Sequence, residues 1–304
     1  MTADIRDYAR IGLVHHMLYP KCSVDADDHV RTLLEFVERD DIETLDCCIP
    51  FGEDRRSAVI PALRDCGKEV VYAMHLFPMR KISLGTACPQ EQGLIKLVVD
   101  DQIKMAAAVG ATGFVFPSGI DVPDADRPAA KKAFSKFCRW FAGELKPHGI
   151  VALLEPFDRT FDKKFLYGPS EECVELIESL RPEVDNLSIE LDVAHVPLMG
   201  ETQEHAIKTC APHLKRVHLG NCVMRDPSSP WYGDKHPPMG LDGGEIDVDQ
   251  LAGILELLLS VDYLNTENRG ALVLEIQPFP DLTPEQTVDD NLRRLDQAWK
   301  LASG

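Results

Sequence analysis

Eight short apolar runs recur along the chain, separated by longer stretches with one apolar and one polar face. The runs are RIGLVHH (10–16), TLDCCIP (44–50), EVVYAMH (69–75), GFVFPSG (113–119), IVALLEP (150–156), LSIELDVAH (187–195), LKRVHLG (214–220) and ALVLEIQP (271–278). Apolar runs of this length, rich in β-branched residues, predict parallel strands buried on both faces. The stretches near 26–39, 54–66, 91–109, 127–146, 169–181, 201–211, 247–260 and 284–302 predict helices. Thr283 before Pro284, and Ser170 after Pro169, are helix-start signals. Eight strand–helix units in 304 residues predict an α/β fold: a single (β/α)8 barrel over residues 1–304. An open doubly wound sheet is the alternative, but no GxGxxG loop follows the first run.

Four of the runs carry, at or near their carboxyl ends, a residue that can bind a hard divalent ion. They are Glu155 in VALLEP, Asp192 in LSIELDVAH, His218 in LKRVHLGN and Glu275 in ALVLEIQP. A carboxylate or imidazole fits a buried strand poorly unless it is paired or metal-bound, and in such a barrel the carboxyl ends converge on the face where chemistry is done. Three carboxylates and one imidazole suit manganese first, then magnesium, cobalt or iron; structural zinc would recruit cysteine. One connection is out of proportion. After His218 the chain runs LGNCVMRDPSSPWYGDKHPPMGLDGGEID, with Trp231 and Tyr232 in its middle. Its composition predicts an ordered lid over the site, with Asp234 and His236 as lid candidates.

Composition narrows the classes. A hydrophobic share of 44% and a charged share of 27% belong to a globular protein. A formal net charge of -18 argues against a nucleic-acid partner. No stretch approaches the ~20 apolar residues of a membrane span, and MTADIRDYAR has no signal-peptide core. The nine cysteines include no CxxC pair; reduced thiols in a cytoplasmic protein are the expectation. His15 and His16 cannot both point into the barrel if they lie on a strand, so one of them is structural.

The blocks LLEP, DVAH, VHLGN and LEIQP, in that order, resemble the xylose isomerase-like TIM-barrel superfamily, which contains sugar isomerases, ketose 3-epimerases and endonuclease IV. The resemblance covers essentially the whole barrel. It implies that Glu155, Asp192, His218 and Glu275 hold one divalent metal, and that Glu155, Glu275 and His195 are catalytic. A substrate-facing role for His195, three residues after Asp192, also follows from it; a histidine merely holding Asp192 is the plainer alternative. The loop run GNCVMRDPSSPWYGDKHPPMG, followed by GG-EIDV, is similar to the large subunit of bacterial C-glycoside deglycosidases. That likeness implies cleavage of a 3-oxo-glycoside and a small β subunit as partner, a homo-oligomer being the other arrangement. The epimerase branch implies proton transfer at a ketose carbon instead, and both begin by enolising a keto sugar. Candidate substrate-binding residues are His75, Arg159, Asn221, Arg225 and His236. Arg159 and Arg225 have the alternative of pairing with surface acids. The histidine-rich segments of the endonuclease branch are not reproduced in full on the second and third runs, where His75 stands alone, and this with the acidic charge argues against DNA repair.

Overall fold

The computed structural model describes residues 4–74 and 83–304. Eight parallel strands close into a barrel in sequence order: β1 (Ala9–Val14), β2 (Thr44–Cys47), β3 (Glu69–Ala73), β4 (Gly113–Phe116), β5 (Val151–Leu154), β6 (Leu187–Asp192), β7 (Leu214–Leu219) and β8 (Gly270–Leu274). The barrel shuts where β8 pairs with β1, Ala9 opposite Gly270 through Leu13 opposite Leu274. The main outer helices are α2 (Ala26–Val37), α3 (Glu53–Asp65), α4 (Pro89–Ala108), α5 (Arg127–Leu145), α6 (Ser170–Leu180), α8 (Gln203–Cys210), α9 (Val248–Ser260) and α10 (Pro284–Ala302). Two single turns, α1 (His15–Leu18) and α7 (His195–Leu198), follow β1 and β6 directly. The predicted strands 10–16 and 187–195 therefore stop short, and their terminal histidines start helical turns. Thr283 caps α10 with a full capping box, the Gln286 side chain returning to the Thr283 backbone.

Strand alternation divides the core in two. One set of side chains, among them Ile11, Leu45, Tyr72, Phe114, Leu154, Leu191, Val217 and Leu272, packs outward against the helices in one continuous apolar cluster. The other set fills the barrel. Val71, Val115 and Leu153 form one small apolar group there, and Val14, Ala271 and Val273 another. Asp46, Glu190, Asp192, Arg216 and His218 are buried polar residues of that same inward set. In β7 a register shift opposite Ile189 and Glu190 leaves Lys215 exposed and re-aims Arg216 and His218 inward.

A fully buried arginine needs full compensation. Arg216 Nε lies 3.0 and 2.9 Å from the two Asp46 oxygens, and Nη2 donates to Thr44 Oγ1 at 2.7 Å. Its Nη1 reaches Glu69 at 3.4 Å, which also pairs with Arg10 at 2.9 Å. This ion network forms the floor under the barrel mouth. Among the described residues all nine cysteines are free thiols, seven of them buried, and no helix is long and apolar enough to cross a membrane.

Candidate metal centre

Glu155 and Glu275 are the first residues beyond β5 and β8, and backbone bonds to the neighbouring strands hold both. The Glu155 N–H donates to the Phe116 carbonyl at 3.0 Å and the Glu275 N–H to Leu219 at 3.1 Å. Asp192 ends β6, opposite His218 of β7 in register. Carboxylate oxygens of Glu155, Asp192 and Glu275 lie within 4.8 Å of one another, all three residues buried. His218 Nδ1 stands 2.6 Å from Glu275 Oε2, and His218 also groups with Glu155 and Glu190 within the same reach. The four residues expected as ligands thus meet on one side of the barrel mouth. Glu190 is the member that sequence reading missed. It lies two residues before Asp192, so alternation puts it on the same inward face one layer deeper.

The long loop after β7 supplies the other wall. Asn221 ties its two ends: Oδ1 accepts from the N–H groups of Cys222 and Ile246, both at 2.9 Å, and Nδ2 donates to the Pro238 carbonyl at 3.2 Å. The loop then folds inward at His236, whose backbone takes the left-handed region at φ 49°. His236 Nε2 lies 2.6 Å from Asp234 Oδ1, and Lys163, from the loop after β5, meets Asp234 Oδ2 at 2.6 Å. Asp158 braces that second loop by accepting from the N–H groups of Phe161, Asp162 and Lys163 at 2.7, 2.8 and 2.8 Å. His195 bonds the Pro156 carbonyl through Nδ1 at 3.0 Å, which fixes the proton there and leaves Nε2 basic. His195 Nε2 and His236 Nδ1 both face Asp192 Oδ2, at 3.6 and 3.5 Å. Asp192, His195 and His236 make a second donor triad beside the carboxylates. Asp234 and His236 are therefore parts of the site itself.

The donor set fits a divalent cation. Both Glu190 oxygens, Asp192 Oδ2, His195 Nε2 and His236 Nδ1 are buried without a hydrogen bond, a state that native interiors avoid unless an ion or water serves the atom. Electrostatics agree. Burial pushes Glu155 well above the usual carboxylate range, Glu190 up to about 8, and Asp192 upward. Burial works the same way on Glu275, but His236 and His218 outweigh it and hold that carboxyl below its usual range. Burial disfavours the imidazolium forms, yet Asp234 and Asp192 raise His195 to about 9, and Asp234 raises His236 to about 10. Protons on the imidazoles here offset carboxylate charge that a dication would otherwise neutralise. An oxygen-rich set with imidazoles suits manganese, magnesium, cobalt or iron.

Other expected site residues stand elsewhere. Arg159 is engaged by Glu172, at 2.9 and 2.5 Å, and by the Leu166 carbonyl at 2.7 Å, so its guanidinium braces the loop after β5. Arg225 has a side chain 78% exposed and pairs with Glu245 at 2.6 Å. Asn221 spends its amide on the loop backbone. His75 falls outside the described residues. His15 is buried and His16 half-buried, both on α1.

The family described as "Xylose isomerase-like TIM barrel" matches residues 34–298. No curated protein sequence matches the chain. Among solved structures, the chain is similar to a D-tagatose 3-epimerase-like protein (TM-score 0.72, 13% identity, covering 96% of this chain and 98% of that one). It is similar to a 3-keto-D-glucoside 4-epimerase from E. coli (0.67, 16%, 94% and 98%). It also resembles an AP endonuclease, family 2, from Brucella melitensis (0.64, 19%, 91% and 96%). At these identities the structural likenesses establish the shared barrel.

Proposed function

Because the chain belongs to the xylose isomerase-like TIM-barrel family, we propose that it is a divalent-metal-dependent sugar isomerase or epimerase, moving a proton at a carbon beside a ketone. The observation that carries this reading is the convergence of Glu155, Asp192 and Glu275 within 4.8 Å at the barrel mouth. Glu155, Asp192, His218 and Glu275 would hold the ion, manganese first. When bound, it would acidify the C–H of a keto sugar by stabilising negative charge on the adjoining oxygens. Glu155 and Glu275 come from strands three apart around the barrel, so they can address a sugar carbon from two sides. One carboxylate removes the proton, and the other, as its acid, returns one to the opposite face. His195, locked through Nδ1 by the Pro156 carbonyl, would offer to a substrate hydroxyl its Nε2, which lies 3.3 Å from Asp234 Oδ2. Asp234 and His236 bring the loop after β7 against the site.

The similar structures are named as a D-tagatose 3-epimerase-like protein and a 3-keto-D-glucoside 4-epimerase, so a ketohexose and a 3-keto-glucoside are the first substrates to test. Cleavage of a 3-oxo-glycoside has no comparable support, and a small partner subunit belongs to that reading alone. The test is proton exchange. The manganese-loaded protein is incubated in deuterated water with a ketohexose, and separately with a 3-keto-glucoside, and solvent label is followed into the sugar. Label and a new epimer are expected, both lost on chelation and in Glu275→Gln. No label in either sugar with folded, metal-loaded protein would overturn the proposal; release of the aglycone would restore the cleavage reading.

One observation favours a second reading. The Asp192–His195–His236 triad could seat another cation, as a multi-metal phosphodiesterase of the endonuclease kind would require. More than one metal per chain together with nicking of abasic DNA would support it; the net charge of -18 opposes it.

A further inference from the structure

Beside the carboxylates, Asp192, His195 and His236 bring one oxygen and two ring nitrogens within 4.8 Å of one another, all buried. Each imidazole spends one nitrogen on a fixed acceptor. The Pro156 carbonyl takes His195 Nδ1 at 3.0 Å, and Asp234 Oδ1 takes His236 Nε2 at 2.6 Å. The three remaining atoms, Asp192 Oδ2, His195 Nε2 and His236 Nδ1, make no hydrogen bond. A carboxylate and two imidazoles, one of them backed by a second carboxylate, suit a divalent cation. A monovalent cation already stands at the edge of this set. Lys163 Nζ lies 2.6 Å from Asp234 Oδ2, the same oxygen that lies 3.3 Å from His195 Nε2. The ammonium also donates to the Asp234 carbonyl at 3.0 Å, and the Lys163 backbone N–H is anchored on Asp158 Oδ1 at 2.8 Å. Burial disfavours the ammonium, but Asp234, with Asp162 and Glu275, outweighs burial and keeps it charged.

We propose that the Lys163 ammonium takes the place of a second cation beside Asp234, so that the barrel mouth holds one divalent ion per chain. Asp234 then has its charge balanced without a metal. A dication on the two imidazoles would face the ammonium across that one shared carboxylate, in a buried setting where like charges repel strongly. Asp192 is left to the carboxylate centre alone. Lys163 acts here beside the ion proposed above for Glu155, Asp192, His218 and Glu275, whatever reaction that ion serves.

Metal content tests this. The full chain is stripped with chelator, loaded with Zn²⁺, which binds nitrogen–oxygen sites more tightly than Mn²⁺, passed through gel filtration and analysed for metal per chain. One equivalent is expected in the wild type and in Lys163→Arg, which keeps the charge. Lys163→Met should retain one equivalent more than the wild type, and adding His236→Ala to it should remove that gain. Lys163→Gln is the second neutral variant if Lys163→Met does not fold. Zn²⁺ should also slow proteolysis of Lys163→Met within residues 222–246, because the new ion ties the loop again; if Lys163 were only a loop tie, metal would leave that rate unchanged. Equal zinc content in the wild type and both folded neutral variants, or a second wild-type equivalent that His236→Ala removes, would overturn the proposal. A wild type that retains no zinc would count against the carboxylate centre, and the gain in Lys163→Met would still decide the role of Lys163.

Discussion

Asp46, on β2, reaches across the barrel to His218, on β7, with Oδ2 3.1 Å from Nε2. The same carboxylate takes both Nε contacts of Arg216, so one aspartate joins the ion network in the floor to an imidazole of the candidate metal centre. Arg216 and His218 outweigh the effect of burial and hold Asp46 below the usual carboxylate range, hence ionised. An ionised carboxylate behind a ligand histidine fixes its ring orientation and raises its basicity. Asp46→Asn is expected to weaken manganese binding by about 10- to 100-fold, measured by calorimetric titration. It also leaves Arg216 short of a counter-ion, a loss of about 3–5 kcal/mol for breaking a buried pair, seen as a lower thermal midpoint. Unchanged metal affinity would detach Asp46 from the site.

Arg159 and Glu172 predict an acid-stability effect. Burial raises Glu172, but Arg159 and Lys131 overcome it and hold the carboxyl at about 2, against 4.5 when unperturbed. A carboxyl depressed in the folded state stabilises the fold above its unfolded pKa. That contribution fades as pH falls from about 4.5 toward about 2. The two side chains keep 17% and 26% of their surface exposed, so solvent still screens the pair and the effect is modest. Glu172→Gln should lower the thermal midpoint at pH 7 and flatten its fall between pH 5 and pH 3. Parallel pH curves for variant and wild type would show that the pair contributes nothing.

The barrel was legible in the sequence because each strand is a bounded apolar run, and hydrophobic periodicity is local information. The four residues of the candidate metal centre stood out for the same reason: each is a charge or imidazole at the end of such a run. Asp46 in TLDCCIP, Glu190 in SIELD and Arg216 in LKRVH carried that signal too, inside the runs rather than at their ends. Alternation places Glu190 on the face of Asp192, and Arg216 on that of His218. Arg159, Asn221 and Arg225 lie in loops, where distance along the chain from a ligand does not say which way a side chain turns. His236 is the reverse case. Its inward turn depends on the positive φ and on Asp234 being held by Lys163, partners distant in sequence.

Lys163 therefore predicts loop behaviour. Its ammonium lies 2.6 Å from Asp234 Oδ2 and donates to the Asp234 carbonyl at 3.0 Å, joining the loops after β5 and β7. Lys163→Met keeps the aliphatic stem and removes the charge. Faster limited proteolysis within residues 222–246 is expected, with the barrel fragments persisting. An unchanged cleavage rate would mean that the loop's other ties, through Asn221 and from the Asp234 and Met239 N–H groups to Asp162 and Asn291, hold it without Lys163.

Gly220 gives the sharpest test of the site's shape. A Cβ there would stand 2.8 Å from His236 Nδ1, 2.9 Å from Asp192 Oδ1 and 3.0 Å from the Ala194 side chain. Neither polar atom can retreat freely. Asp192 Oδ1 accepts from the Ala194 N–H at 2.7 Å, and His236 is held through Nε2 by Asp234 at 2.6 Å. The added methyl would have to push His236, and with it the loop, away from Asp192. The outward apolar packing of β7, through Val217 and Leu219, is untouched. Gly220→Ala should therefore fold, with wild-type far-ultraviolet dichroism, while losing metal affinity and solvent exchange into the sugar together. Full exchange activity in the alanine variant would show that His236 need not approach Asp192 for function.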